Sequence, residues 1–250
     1  MLKYLAAILA GSCLAAPSWA EAVEWAGEGS VSAGVTSGNT DTSDVGIGLK
    51  FSRESQLWRM KGVLLADYGT KDGVRSKDRV FASGQGDRTL SEHVFVFGRV
   101  SHERDDFSGF NSRSFLGGGA GWQVFDTDAA KWSLEGGPGL KIDEVKASEL
   151  TVPGSPPVPV PERTDESVSV IAASRMNFAL NEQVSVGNDT SLLYADTSTQ
   201  VSNQATLTAE LTKGLSARFS FEVRHDTHPQ SDFEKTDTAT RMSLVYAFGG

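Results

Sequence analysis

The stretch Ala205-Thr-Leu-Thr-Ala-Glu-Leu-Thr-Lys-Gly-Leu-Ser-Ala-Arg-Phe-Ser-Phe-Glu-Val-Arg224 decides the fold. Ala205, Leu207, Ala209 and Leu211 stand at every second position. After the turn pair Lys213-Gly214, Leu215, Ala217, Phe219, Phe221 and Val223 do the same, against Ser216, Arg218, Glu222 and Arg224. A side-chain period of two belongs to a β-strand with one apolar and one polar face. Two such strands joined by a two-residue turn make a hairpin.

Outward from this hairpin the pattern repeats along the chain. Trp25 to Val35, Val45 to Phe51, Trp58 to Tyr68, Leu116 to Val124, Trp132 to Ile142, Val168 to Leu180, Val184 to Tyr194 and Met242 to Phe248 all alternate. Arg79 to Arg88 is weaker, and His93 to Glu103 is apolar on both faces around Phe95 and Phe97. The reading is an all-β, up-and-down antiparallel transmembrane barrel of about twelve strands, with ten as the alternative.

Alternation alone also fits a soluble sandwich, whose inner faces pack on each other. Three features favour a barrel in lipid. Short turns near Ser55, near Ser91, at 126–131, near Asn181 and at Lys213-Gly214 alternate with longer connections at 69–78, 104–113, 145–165, 195–202 and 226–236, as in outer-membrane barrels. Trp25, Trp58, Trp132, Phe178 and Phe248 fall in the outward register at the short-turn end, with Tyr68 and Tyr194 at the other, which suits two aromatic girdles. The polar register carries charges of both signs. Arg59, Lys61, Arg99, Glu135, Lys141, Arg175, Arg218, Glu222, Arg224 and Arg241 are the lumen candidates.

Residues 1–20 read as a secretory signal: Lys3, a short apolar run, and a Ser18-Trp19-Ala20 cleavage site. That run is shorter than the ~20 residues a spanning helix needs. Residues 21–250 form the barrel domain. The single cysteine, Cys13, falls within the signal, so the mature chain is expected to have no disulfide and no thiolate chemistry. A net charge of −9 argues against nucleic acid as a partner. The expected partners are outer-membrane lipid and, during biogenesis, the barrel-assembly machinery. Pro138, among Gly136, Gly137 and Gly139, suggests a bend or bulge in its strand, because proline cannot donate to a ladder. The proline-rich segment 151–163 reads as an exposed, mobile external loop.

Two stretches, VSAGVTSGNTDTSDVGIGLKF ending at Phe51 and VSHERDDFSGFNSRSFLGGGAGW from Val100 to Trp122, resemble the family described as salt-induced outer-membrane proteins, a domain of unknown function. The resemblance implies an outer-membrane location and a role in salt or osmotic stress, and no settled activity. Met242, Leu244, Tyr246 and Phe248 resemble the C-terminal assembly signal of outer-membrane barrels, with Gly249-Gly250 trailing it.

No catalysis, cofactor or metal is expected. The candidates for a rim hydrolase are His102 with Glu103, Asp105 and Asp106, and His225 and His228 with Asp226, since a His–carboxylate pair activates water. His93 lies apart from both groups. Asp105, Asp106 and Asp226 are also the candidates for a divalent cation. The expected function is a structural or salt/osmotic-stress-related barrel; the alternative is a small-solute or ion channel, and the second alternative a rim hydrolase. A barrel predicts that the protein fractionates with membranes and migrates faster in gels before boiling than after. A soluble, detergent-independent monomer would refute it.

Overall fold

The computed structural model describes residues 23–38, 42–150, 158–230 and 233–249. The region read as a signal lies outside them. Among the described residues there are fourteen strands: β1 (Glu24–Ser37), β2 (Thr42–Glu54), β3 (Trp58–Lys71), β4 (Val74–Thr89), β5 (Val94–Asp105), β6 (Phe110–Asp126), β7 (Ala130–Val145), β8 (Ser148–Leu150), β9 (Val158–Val160), β10 (Arg163–Ala179), β11 (Val184–Ala195), β12 (Thr199–Thr212), β13 (Leu215–Asp226) and β14 (Thr236–Gly249). Twelve of them close into an antiparallel barrel in which chain neighbours are sheet neighbours, while β8 and β9 form a separate two-stranded ribbon. Pairing of β1 with β14 from Ala26–Gly249 to Ser37–Thr238 shuts the ring. The twelve-strand reading holds, and ten is excluded.

The alternation sorts the side chains. Val31, Ile47, Leu64, Leu116, Val168, Leu207, Phe219 and Leu244 are exposed on the outside. A soluble protein does not leave such a contiguous apolar belt in water. Phe95 and Phe97, on the strand that reads as apolar on both faces, point inward. With Phe115 and Ile171 they form a buried cluster against which Leu193 packs. The lumen therefore contains an apolar filling along part of its wall.

The connections at one end are tighter than the sequence suggested. The expected loop at 69–78 is a two-residue turn in which Asp72 and Gly73 both have positive φ, 52° and 78°. This conformation suits the right-handed twist of a hairpin, and Asp-Gly is its usual sequence. The connections read as 104–113, 195–202 and 226–236 shrink to residues 106–109, 196–198 and 227–235, because the flanking strands continue beyond the belt. Part of the expected loop 151–163 is ordered: β9 pairs with β8 from Ser148–Val160 to Leu150–Val158, and Arg163 already belongs to β10. Residues 151–157 lie outside the described residues.

Pro138 causes no bulge. Its register against β10 is continuous, and the irregularities between β6 and β7 fall at Phe110/Ser112 and Gln123/Phe125. The glycines around it have a different task. A Cβ on inward-facing Gly119 would overlap the backbone of Gly136 and Gly137, and one on Gly137 would overlap Gly118 and Gly119. The wall bends so sharply at this seam that only glycine fits on its concave side. Gly119→Ala or Gly137→Ala is expected to lower stability by ~1–3 kcal/mol, the usual cost of overpacking. Gly29→Ala, with nothing within 4 Å of the added atom, is expected to be neutral. Urea unfolding in lipid vesicles checks the contrast.

Candidate functional site: the charged lumen

The ten charged residues assigned to the polar register all lie in the inward row of their strands. Period two explains why they face inward, and closure of the barrel determines which of them meet. They fall into groups at different depths.

In the short-turn half, Glu135 on β7 is the hub. Its side chain is 1% exposed. It accepts hydrogen bonds from Arg99 on β5, from Arg175 on β10 at 2.5 Å and from Gln85 on β4 at 2.9 Å. Arg99 Nε also donates to Gln85 at 2.7 Å, and its guanidinium lies over the Phe97 ring. Lys61 on β3 meets Asp87 on β4 at 2.9 Å. This network runs along the wall rather than across the lumen. Near the same mouth, Arg59 pairs with Glu54 at 2.5 Å, and Arg218 pairs with Glu28 at 3.0 Å.

In the loop-side half a second network begins on the wall and then leaves it. Asp44 on β2 pairs with Lys77 on β4 at 3.3 Å and with Arg241 on β14 at 3.2 Å. Arg241 also approaches Asp67 and Glu222, each at 3.6 Å. Arg79 on β4 binds Asp67 at 3.3 Å and Glu103 on β5 at 2.9 Å. Arg224 on β13 binds Glu222 beside it at 2.6 Å and reaches Glu103 at 3.9 Å. In the barrel order β13 and β5 are six strands apart in either direction, so this last contact crosses the full lumen. Arg113 on β6, stacked on Phe110 at 3.5 Å, crosses it again to Asp226 on β13 at 3.3 Å. Lys141 binds Asp143 on its own strand at 2.5 Å and donates to Ser198, in the connection between β11 and β12, at 3.2 Å.

The lumen wall has two characters. β3 to β7 and β10 carry the phenylalanine cluster and the Glu135 network. β11 to β14, β1 and β2 present mainly small polar groups, including Ser202, Gln204, Thr206 and Thr208 on β12, Ser30 and Ser32 on β1, and Ser243 on β14. All seven of these are half-buried inside the barrel. These side chains keep part of their surface accessible inside the barrel, so this wall is polar and incompletely covered.

Acidic members of this site outside the ten lumen candidates include Asp44, Asp67 and Glu103. Their inward register was legible, but their partners depend on how the strands pair: Arg79 comes from the neighbouring strand, and Arg241 and Arg224 come from farther round the ring. The histidine groups do not assemble. His102 occupies an outward position and bonds Ser114 at 2.9 Å, while its neighbour Glu103 faces the lumen. His225 also faces outward, to Thr236, while Asp226 turns inward to Arg113. His228 bonds Thr227, and His93 lies against Trp122 at the opposite end. Asp105 caps the Phe107 N–H, and Asp106 pairs with Arg75 and Arg104. Among the described residues no group of three or more His, Cys, Asp or Glu side chains converges as metal ligands.

On the outside, Trp25, Trp58, Tyr68, Tyr194 and Phe248 are exposed, and Arg53 and Arg88 lie over the Trp25 and Trp58 rings. Trp132 and Phe178 are half-covered, with the Trp132 indole donating to Ser174. Trp122 and Phe125, which were not assigned to a girdle, are exposed near the short-turn end.

A family model described as "Protein of unknown function, DUF481" matches residues 29–248. The chain belongs to that family. No curated protein matches. Among solved structures, the chain is similar to the NanC porin, with 12% identity, 87% of this chain and 98% of that one covered, and a TM-score of 0.54. It is also similar to the translocator domain of the autotransporter NalP from Neisseria meningitidis, with 9% identity, coverage of 90% and 88%, and a TM-score of 0.52. These likenesses establish the outer-membrane barrel fold of this DUF481 protein, and its family description assigns no activity.

Glu135 gives the sharpest energetic test. Glu135→Ala leaves Arg99 and Arg175 without their carboxylate in a largely dry part of the wall. Breaking a buried pair in this way costs ~3–5 kcal/mol. The exposed pair at the mouth predicts at most ~1 kcal/mol for Glu54→Ala. Equilibrium unfolding of the two variants in one lipid should separate them clearly.

Proposed function

We propose that this protein is a narrow channel of the outer membrane for small polar solutes or ions, closed at its loop end by ion pairs that span the lumen. One observation carries this reading. Of the two contacts that cross the lumen, Arg113–Asp226 at 3.3 Å is as short as pairs on the wall, and Arg224–Glu103 at 3.9 Å is the loose one. Glu135 is almost fully buried, while the cross-lumen partners Arg224 and Glu103 remain 36% and 26% exposed at a separation of 3.9 Å. A hydrated pair of this kind contributes at most ~1 kcal/mol. Thermal motion opens it readily, without loosening the barrel. Below it the small polar side chains of β12, β1 and β14 offer hydrogen bonds beside the paired charges Arg218 and Glu28, which suits passage of small polar species.

Location and biogenesis belong to the same reading. The exposed apolar belt meets outer-membrane lipid. Export uses the signal ending at Ala20, and Met242, Leu244, Tyr246 and Phe248 serve as the signal to the assembly machinery. All four are exposed on the outer surface of the closing strand. The salt or osmotic stress role that the resemblance implied connects to the mechanism in one way. Ion pairs that hold a pore shut weaken as salt rises, because screening shortens from ~10 Å at 0.1 M to ~3 Å at 1 M.

The test is single-channel recording in planar bilayers. The wild type is expected to give small, flickering steps, and Glu103→Ser with Arg224→Ser larger and longer ones. Between 0.1 and 1 M KCl the open fraction of the wild type should rise, and that of the double variant, which keeps only the Arg113–Asp226 pair across the lumen, should rise less. Silence from both proteins would refute the channel and leave a structural barrel.

A further inference from the structure

The lipid-facing surface of β10, β11 and β12 carries an unexpected polar cluster. Asn188 and Thr190 on β11 and Asn203 on β12 occupy the outward register, in line with Val186, Leu192, Val201 and Leu207. Asn203 Nδ2 donates to Thr190 Oγ1 at 2.7 Å and to Asn188 Oδ1 at 3.1 Å, Thr190 Oγ1 donates to Asn188 Oδ1 at 3.1 Å, and Asn188 Nδ2 reaches Asn203 Oδ1 at 3.3 Å.

Its depth makes it significant. Tyr194, at the loop-side end of the belt, is four residues above Thr190 on the same strand. At ~3.3 Å per residue and a tilt of ~45°, Thr190 lies roughly 9 Å deeper. In an apolar band ~25 Å tall that position is close to the middle. Acyl chains offer amides no hydrogen-bond partner, and polar groups at this depth carry a cost unless protein satisfies them.

We infer that this patch is where a second copy of the chain docks, wall against wall, within the membrane. Two observations select a second copy over another occupant. An asparagine amide is both donor and acceptor, so the patch is complementary to itself, as a two-fold interface requires. Within the cluster, Asn203 commits both amide hydrogens, but Asn188 commits only one, leaving a donor for the facing barrel. The flanking outward residues Ala172, Ser174 and Ala205 are also small, which lets another wall approach closely. A charged or bulky partner would find neither a countercharge nor a pocket here.

The experiment uses full-length protein with Cys13→Ser and single cysteines introduced at Thr190 on the patch or at Leu64 on β3, the wall opposite β11. In native outer membranes, Thr190→Cys is expected to give an oxidative dimer, and Leu64→Cys at least tenfold less. Mass photometry in nanodiscs should show a dimer for the wild type, and Asn188→Leu with Asn203→Leu should be monomeric while keeping its heat-modifiable migration. Cross-linking through Leu64→Cys rather than Thr190→Cys would overturn the assignment. So would a monomeric wild type, or a double variant that folds and remains dimeric. If the double variant fails to fold, the cysteine pattern alone decides.

Discussion

A backbone can lie against hydrocarbon only if each of its N–H and C=O groups is paired within the protein, and ring closure is how this chain meets that demand. The β1–β14 ladder is the decisive contact, since it removes the last two strand edges. Once it forms, every strand has two hydrogen-bonded neighbours. The alternating side chains are then committed, one row to the outside and one to the lumen. The apolar belt, the charged interior and the separation of histidines from carboxylates all follow from this constraint.

Closure also creates a filling problem. A ring of twelve strands encloses more space than inward side chains fill uniformly, and the chain fills it unevenly. Phenylalanines at 95, 97 and 115 pack over one wall, beside a seam of glycines where the sheet bends too tightly for a Cβ. Buried ion pairs brace the same side around Glu135, and others gather around Asp44 on β2. The opposite wall is left with serines, threonines and glutamines and with accessible space beside them. The asymmetry gives the barrel a rigid half and a wet half.

The charges divide along the same physical line. Pairs between neighbouring strands are short, desolvated and reinforced by hydrogen bonds, so they act as structural braces. Pairs across the lumen must span a diameter, and of the two, Arg224–Glu103 is stretched to 3.9 Å while Arg113–Asp226 closes to 3.3 Å. The difference in environment, rather than in residue type, separates a brace from the pair proposed as a gate. Arg79 and Arg224 both reach Glu103, one from the adjacent strand and the other from the far side of the barrel.

Much of this was legible in the sequence. The period of two determined which residues face outward and which inward, because successive side chains in a strand leave opposite sides whatever its neighbours are. It also separated His102 from Glu103 and His225 from Asp226, a consequence that reading by proximity along the chain overlooks. The turn at Asp72-Gly73 was present as a dipeptide but was masked by the polar residues around it. Only the tertiary structure decided which inward charges meet. Glu103 finds Arg79 and Arg224, and Asp44 finds Arg241, because partners are set by strand order, register and ring closure. Local composition fixes the direction a side chain takes, whereas its distance to a group on the far wall depends on the whole barrel.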